Sequence, residues 1–357
     1  MHTCHSLADQ RRACSDFGLK ERRAADNMYD ALNPPRTWMA ANETFTFSVN
    51  EPTSSASCHH YTALSDEEKD LAERTSQLRF RWNKAVRKLA SLLSGRITTA
   101  RSEAIGKIES KWFEKLKEMH SEPSRFYHTL VHLEEMLGYL DIFAKLSSND
   151  TEKEVSECLD AVSCIATFFH DAVYDPTSSS NEEDSVRLFQ SFSEELTNDC
   201  AITPCLDLVL SWVSKYILAT KSHNPRDTSI SQIKINAGAS FEAKLAYHLS
   251  LHLRAFLDAD MSVLAKDSNA YKTYAGLIRK EYEFVVRDTY CQKRAEILRS
   301  FIGLRRIEDN DVVDETKHIF GTDAMKAWFE QKARQNLLEE IHMLERGLIP
   351  CEEMSGH

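Results

Sequence analysis

Four residues, widely separated in the chain, have the side chains of a metal site. They are His132, the adjacent pair His170 and Asp171, and Asp260. Two imidazole nitrogens and two carboxylate oxygens suit a divalent ion such as zinc, manganese, magnesium, cobalt or iron. No cysteine accompanies them at ligand spacing. The residue types therefore indicate a mixed nitrogen and oxygen site, and they leave the identity of the metal open.

The pair His170 and Asp171 follows a long apolar run. From Val155 to Phe169 apolar residues cover most of a helical circumference, which predicts a helix that is buried on nearly all sides. A desolvated imidazole and carboxylate at its end need a partner such as a metal. A single pair of this kind is more often an ordinary helix end, so its meaning depends on the other candidates.

His128 and His132 are four residues apart. Pro123 and Ser124 suit the start of a helix, so we expect the two histidines to project from one face of that helix. Both imidazoles could then reach one small volume. They would serve as two metal ligands, or as one ligand and one acid.

Asp258 and Asp260 form an acidic pair at the end of another apolar stretch. Two buried carboxylates repel each other and raise the pKa of one of them unless a cation lies between. Asn181 and Glu182 open a further helix, and first-turn residues of these types are structurally common. Lys221 and His223 close another helix, where cations are equally common.

The elements that position these residues are predicted to be helices. Helical spacing of apolar residues begins near Ser65, the chain has ten glycines, and no alternating strand pattern follows residue 60. We therefore predict an all-α domain over 65–348. Residues 1–64 are expected to be a largely disordered extension with a possible short strand at 44–49 and a solvated His59-His60 pair, and 349–357 a tail.

Composition limits the class of protein. The 357 residues carry a net charge of -11, which argues against a general binder of nucleic acids. Nine cysteines without regular spacing indicate a reduced, intracellular protein. The absence of a signal segment and of a long apolar run predicts a cytoplasmic protein without a membrane span. The sequence leaves the oligomeric state open.

Taken in order, these motifs resemble the HD-domain metal-dependent phosphohydrolases, and more narrowly a subgroup of predicted HD phosphohydrolases. The resemblance covers about residues 70 to 345. Its blocks are Arg-x-Tyr-His-x-x-x-His (Arg125 to His132), Phe-His-Asp-x-Val-Tyr-Asp (Phe169 to Asp175), Asn-Glu-x-x-Ser (Asn181 to Ser185), Ala-Thr-Lys-x-His (Ala219 to His223), Asp-Ala-Asp-x-Ser (Asp258 to Ser262), Arg-x-Glu-Tyr (Arg279 to Tyr282) and Ala-Arg-x-Asn-Leu (Ala333 to Leu337).

The resemblance implies a role for each candidate. Two of the blocks are also similar to cyclic-nucleotide phosphodiesterases, in which the second histidine of the pair binds metal and the first protonates the leaving oxygen. By this comparison the ligands are His132, His170, Asp171 and Asp260. His128 would be the general acid, and Asp171 would also orient the attacking water. Other HD proteins with an Arg-x-x-His-Thr pattern would make His128 the ligand instead.

The implied activity is hydrolysis of a phosphate ester or anhydride in a nucleotide or another small phosphorylated molecule, with a divalent metal. Lys221, His223 and Arg279 would face the phosphate. Arg125, Asn181, Glu182 and Asp258 would contact the substrate or its phosphate, or would support the metal ligands. The chain departs from the subgroup at Thr129, Met261, Ala265 and Lys293, which bears on substrate fit. Two alternatives stay open: a di-iron oxygenase, and a non-catalytic regulatory protein that binds a metal or nucleotide.

Overall fold

The computed structural model describes residues 66–92, 99–147, 152–198, 203–223, 238–307, 310–314 and 316–350. This part of the chain is helical except for one small hairpin, so the predicted all-α class is confirmed. The helices are α1 (Asp66–Ser91), α2 (Thr99–Met119), α3 (Leu130–Ser147), α4 (Lys153–Phe169), α5 (Asn181–Thr197), α6 (Pro204–Ala219), α7 (Phe241–Asp260), a 3-10 turn (Met261–Ala265), α8 (Ser268–Glu281), α9 (Arg287–Phe301) and α10 (Asp323–Glu345).

The hairpin corrects the prediction that no strand follows residue 60. Strands β1 (Leu304–Ile307) and β2 (Asn310–Val313) pair antiparallel, with Leu304 opposite Val313. Each strand has only four residues. Alternation over four residues is too short to stand out from the helical spacing on either side.

Helix α4 is the centre of the fold, and it is buried as its sequence predicts. It packs against α1, α3, α5, α6 and α7. Its last two residues, Phe168 and Phe169, enter an aromatic cluster with Trp82, Trp112 and Phe192, in which the ring centroids lie 5.2–6.1 Å apart. Tilted and edge-on rings at such distances attract one another. The C-terminal end of α4 is therefore held rigidly.

The start of α3 differs from the prediction. The helix begins at Leu130 and not at Pro123, so His128 lies in the preceding turn and only His132 is helical. The backbone N–H groups of residues 126 to 128 donate to Oε1 of Glu281 over 2.7–3.1 Å. These backbone N–H groups precede α3 and have no partner within it. The carboxylate of Glu281, on a distant helix, accepts their hydrogen bonds instead.

Some predictions fall on other residues. The expected extension over 1–64, with its possible strand at 44–49 and its His59-His60 pair, and the tail beyond 350 lie outside the described residues. Among the described helices, none is both long and apolar enough to cross a membrane.

We expect Phe169→Ala to lower the free energy of unfolding by about 3–5 kcal/mol, since it removes a fully buried ring from the aromatic cluster. Urea unfolding followed by circular dichroism measures this change. Phe80→Ala is the matched control, because Phe80 is 71% exposed and its loss should change stability by less than about 0.5 kcal/mol. Equal effects of the two substitutions would contradict the packing described for α4.

Candidate metal centre and acid-base pair

Three helices bring His132, His170 and Asp260 together. His132 lies in the first turn of α3, His170 directly follows α4, and Asp260 is the last residue of α7. Their ligand atoms lie within 4.8 Å of one another. Both histidines are buried, with 2% and 1% of their surface exposed. The three side chains form a group that could hold a metal ion. We call His132, His170 and Asp260 the metal group.

The distances within this group fit one ion. Nε2 of His132 lies 3.3 Å from Nε2 of His170 and 3.1 Å from Oδ1 of Asp260, and the third side of the triangle is 3.8 Å. Ligands with bonds of about 2.1 Å in a tetrahedral arrangement are separated by roughly 3.4 Å. The spacing is thus that of ligands that share a small cation.

The protonation of His170 fits as well. Its Nδ1 lies 2.8 Å from the carbonyl oxygen of Thr167. A carbonyl can only accept, so Nδ1 carries the proton and, in the neutral ring, Nε2 presents a lone pair to His132 and Asp260. Metal-binding histidines are oriented by this kind of hydrogen bond.

Asp171 borders the group on one side. Its Oδ2 lies 2.9 Å from Nε2 of His170 and 3.9 Å from Nε2 of His128. Burial opposes the charge of Asp171, but His170 and His128 outweigh it and hold the pKa of this carboxyl well below its usual range. Burial likewise opposes a proton on His170, yet Asp171 and Asp260 raise the pKa of His170 to about 9. The two carboxylates that favour a proton on His170 would equally favour a cation among these side chains.

His128 is the next side chain in the row, and it is paired with Glu281. Nδ1 of His128 lies 2.6 Å from Oε2 of Glu281, whose side chain has no exposed surface. Since an ionised carboxylate only accepts, Nδ1 donates, and Nε2 is the atom turned toward Asp171. Burial lowers the pKa of His128, but Asp171 and Glu281 together raise it above its ordinary value. His128 is therefore prepared to hold a proton at the edge of the metal group.

Glu281 was absent from the predicted site residues. It is the last residue of α8, where a negative charge is unfavourable for the helix dipole. An acidic residue at such a position was the signal that could have indicated a buried partner. Burial raises the pKa of Glu281, but His128 and the backbone N–H groups of Tyr127 and His128 outweigh burial and lower the pKa to about 2.

Tyr174 completes the surroundings of His128, and it was also missed. Its hydroxyl donates to Oε2 of Glu281 over 2.9 Å. Its ring lies over the ring of His128, with the centroids 4.3 Å apart. The imidazole is thus held by a hydrogen bond on one edge and by an aromatic ring on one face.

Arg125 contacts backbone and not the open site. Its Nη1 donates to the carbonyl oxygen of Asp171 over 2.6 Å, and its Nη2 donates to that of Ala172 over 2.8 Å. The side chain is 1% exposed. Arg125 also donates to the carbonyl oxygen of His128. It therefore joins the turn that carries His128 to the residues that follow α4.

Asp258 and Asp260 point to different places. Residues two apart on a helix project about 200° from each other. Asp258 accepts from the backbone N–H groups of Gly321 and Thr322 over 2.6 and 2.8 Å, next to the start of α10. Burial raises the pKa of Asp258 to about 6 against these hydrogen bonds. Its carboxylate holds α10 to α7 and lies outside the metal group.

Asn181 and Glu182 are the first residues of α5, and Lys221 lies just after α6. Lys221 donates to the carbonyl oxygen of Ser179 over 2.7 Å and to Oε1 of Glu183 over 2.5 Å, with Glu182 at 3.9 Å. The side chain of Asn181 bonds the backbone of Asp175 in both directions. These residues brace the loop after Asp171.

Arg279 faces the turn that follows α8. Its Nη1 donates to the carbonyl oxygens of Tyr282 and Val285 over 2.6 and 3.2 Å, and its guanidinium lies over the ring of Tyr290. This geometry orients Arg279 toward backbone and an aromatic ring. The turn after α8 is fixed by it.

His223 does reach the metal group. Its Nε2 lies 2.8 Å from Oδ2 of Asp260, so the two oxygens of that carboxylate face different histidines. In the described part of the chain, His223 is the one residue other than glycine with a positive φ, at 44°. Such a backbone costs roughly 1 kcal/mol. The hydrogen bond between His223 and Asp260 offsets this strain.

His120 is a buried histidine that contacts the last turn of α4, just before His170. It directly follows α2, and its Nε2 donates to the carbonyl oxygen of Phe168 over 3.1 Å. Burial and the nearby Arg125 lower the pKa of His120 to about 3. The ring is therefore neutral in the folded protein at ordinary pH, whereas in the unfolded chain it takes up a proton near pH 6.5.

This difference predicts a pH dependence. The lowered pKa means that the unfolded state binds the extra proton, so stability falls as the pH drops below 6.5. Between pH 7 and pH 5, His120 should contribute a loss of about 2 kcal/mol. His120→Gln keeps a hydrogen-bond donor for the carbonyl oxygen of Phe168 but has no group that titrates at this position. Between pH 7 and pH 5, the free energy of unfolding of this variant should therefore fall by about 2 kcal/mol less than that of the wild-type protein. Parallel urea titrations of both proteins at the two pH values would refute the role of His120 if they gave equal losses.

We expect His132→Ala, His170→Ala and Asp260→Asn each to weaken binding of a divalent metal by more than about tenfold. Asp258→Asn is the matched control, because Asp258 lies two residues from Asp260 yet contacts Gly321 and Thr322. Equilibrium dialysis with elemental analysis measures the bound metal. Equal losses in Asp258→Asn and Asp260→Asn would mean that the metal group has been misassigned.

Comparison with known proteins gives no relative for this arrangement. The chain matches no protein-family model, no curated protein and no solved structure. The side chains of the site are therefore the basis for inferring what the protein does.

Proposed function

We propose that the protein is a metal-dependent hydrolase of phosphate esters or anhydrides in small molecules. The observation that carries the proposal is the juxtaposition of a buried metal group with a histidine that can donate a proton. Asp171 touches both, at 2.9 Å from His170 and 3.9 Å from His128. The ordered motifs that resemble HD-domain phosphohydrolases support the same activity.

His132, His170 and Asp260 would hold the ion, with Asp171 at its border. A divalent ion bound there would supply Lewis-acid activation of water and neutralise charge on phosphoryl oxygens. Asp171 would orient the attacking water by accepting a hydrogen bond from it. The burial of both histidines excludes bulk water from this side of the site.

His128 would protonate the oxygen of the leaving group from Nε2. Its Nδ1 is committed to Glu281, so the proton that can move is on the other nitrogen. A positioned acid of this kind contributes typically 10²- to 10⁴-fold to the rate. Glu281 would stabilise the protonated ring and fix its orientation, as a carboxylate paired with a catalytic imidazole does.

The cations that we expected at the phosphate are engaged elsewhere. Arg125, Lys221 and Arg279 each donate to backbone carbonyl oxygens. Among the described residues, charge on a bound phosphoryl group would therefore be met by the ion and by His128. His223 would act through Asp260, whose second oxygen it contacts.

The test is a metal-resolved screen with two informative variants. After reconstitution with manganese, magnesium, zinc, cobalt or iron, the protein should release phosphate from phosphomonoesters, nucleotides or cyclic nucleotides, the last with an added phosphatase. His170→Ala should lose both metal and turnover. His128→Asn should keep the metal and lose turnover by about 10² or more.

Loss of metal in His128→Asn would instead make His128 a ligand. Absence of turnover with every metal, combined with a rise in melting temperature on adding a nucleotide, would replace the enzyme by a nucleotide-binding regulator. One observation favours a second enzyme class: His223 lies 2.8 Å from Asp260, and di-iron oxygenases use additional histidines. Two irons per chain and an oxygen-dependent product would establish that class.

A further inference from the structure

A cavity of about 860 Å³ is bounded by α1, α3, α4 and α7. It is separate from the metal group: His252, its lining residue on α7, lies eight residues before Asp260, and Cys164 of α4 lies six residues before His170. At 1.5 Å per helical residue these separations are about 12 and 9 Å along the helix axes. Small molecules bind in cavities of roughly 300–1,000 Å³, so this cavity is large enough to hold a ligand of its own.

Buried apolar side chains form part of the walls of this cavity. Leu137 and Leu140 of α3 and Ala161 of α4 line it, and each is at most 5% exposed. Phe80 of α1 also lines the cavity but is 71% exposed, so it lies where the cavity opens to solvent. Such walls favour the apolar part of a ligand, because that part loses its contact with water on binding.

The charges of the lining balance one another. The charged residues that line the cavity are three cations and three anions: Arg81, Lys84, Lys88, Asp141, Glu157 and Asp160. Arg81 is paired with Asp141 over 2.7 Å, and Lys88 is paired with Glu157 over 2.9 Å. Because the lining has no net charge, it gives neither an anion nor a cation a general advantage. An uncharged ligand is the class that this lining favours.

His252 supplies a hydrogen-bond acceptor inside the cavity. Its Nδ1 lies 3.1 Å from Oγ of Ser163, and that hydroxyl donates its one proton to the carbonyl oxygen of Leu159 over 2.8 Å. The hydroxyl therefore accepts from Nδ1–H. Burial lowers the pKa of His252 to about 4, so the ring is neutral at ordinary pH and Nε2 carries a lone pair.

Nε2 of His252 is free to accept from a ligand. In the described part of the chain it has no hydrogen-bond partner. It is also not among the unpaired side-chain atoms that are shut off from solvent. An unpaired nitrogen that keeps solvent contact, on a residue that lines the cavity, faces the cavity. The neighbouring thiol of Cys164 stays protonated, because burial raises its pKa to about 12, so it adds a soft wall and no nucleophile.

We propose that this cavity binds a neutral, largely apolar molecule with a hydroxyl group, such as a phenol, and that the hydroxyl donates to Nε2 of His252. The apolar body lies against Leu137, Leu140 and Ala161. An ether of the same shape has no proton to donate and leaves Nε2 unpaired, which costs affinity. The site does not depend on the proposed function, because neither the metal group nor His128 lines it.

The test compares 2-naphthol with 2-methoxynaphthalene, which has nearly the same shape and no proton to donate. Isothermal titration calorimetry of the full chain at neutral pH should give a dissociation constant about three- to tenfold lower for 2-naphthol, which is the usual contribution of one hydrogen bond. His252→Phe removes the acceptor and keeps a flat ring, so the two probes should bind this variant equally. His248→Phe should keep the preference, since His248 lies one turn earlier on α7 and does not line the cavity.

An exposed residue gives a second variant that leaves the core intact. Phe80→Ala should weaken binding of both probes about three- to tenfold, because a ring at the opening of the cavity is lost. Phe284→Ala should change neither, since Phe284 is another exposed phenylalanine and lies outside the cavity. The proposal is overturned by equal affinities of the wild-type protein for the two probes, by a preference that persists in His252→Phe, or by equal effects of Phe80→Ala and Phe284→Ala. Tighter binding of the anion 2-naphthoate than of 2-naphthol, or no saturable binding of 2-naphthol up to its solubility limit, would also overturn it.

Discussion

Three carboxylates, those of Asp171, Asp260 and Glu281, share a small buried volume, and the structure of the site depends on neutralising them. A buried ionised carboxylate is costly unless hydrogen bonds or opposite charges surround it. Each of the three contacts a different histidine: Asp171 contacts His170, Asp260 contacts His132, and Glu281 contacts His128. The lowered pKa values of all three carboxyls reflect these contacts.

The fold supplies rigidity where those pairs require it. Phe168 and Phe169 anchor the end of α4 in an aromatic cluster, and His120 bonds the carbonyl oxygen of Phe168. Arg125 joins the backbone of Asp171 to the turn that carries His128. The adjacent side chains of His170 and Asp171 can keep a fixed geometry only if the backbone between them does not move. The aromatic cluster and the hydrogen bonds of His120 and Arg125 restrict the movement of this backbone.

The sequence predicted the helical class and three of the four side chains that were expected to bind a metal. Apolar spacing predicted helical structure from about Ser65, and α1 begins at Asp66. The predicted ligands His132, His170 and Asp260 do lie together. The directions of long side chains could not be predicted in this way. Arg125 and Arg279 have the residue type of phosphate binders. In the folded chain, however, both guanidinium groups donate to backbone carbonyl oxygens, and the sequence does not show that these oxygens lie within reach.

Glu281 shows the same limit from the opposite side. It lies 153 residues from His128 in the chain, so neither periodicity nor local spacing relates the two residues. The block Arg-x-Glu-Tyr contains Glu281 but gives it no partner. Its position at the end of α8 was a further local sign, because a carboxylate there opposes the helix dipole. Pairings across such separations depend on how the helices pack, and packing is decided by the core as a whole.

Charge balance also bears on the kind of ion that the site would take. Glu281 and a protonated His128 neutralise each other, which leaves the two negative charges of Asp171 and Asp260 at the metal group. One divalent ion balances these two charges while His132 and His170 stay neutral, as metal ligands must. Burial opposes a proton on His170, but Asp171 and Asp260 raise the pKa of His170 to about 9, because the two carboxylates favour a positive charge beside them. A divalent ion held there would take the place of such a proton, whereas a monovalent cation would leave part of the negative charge uncompensated.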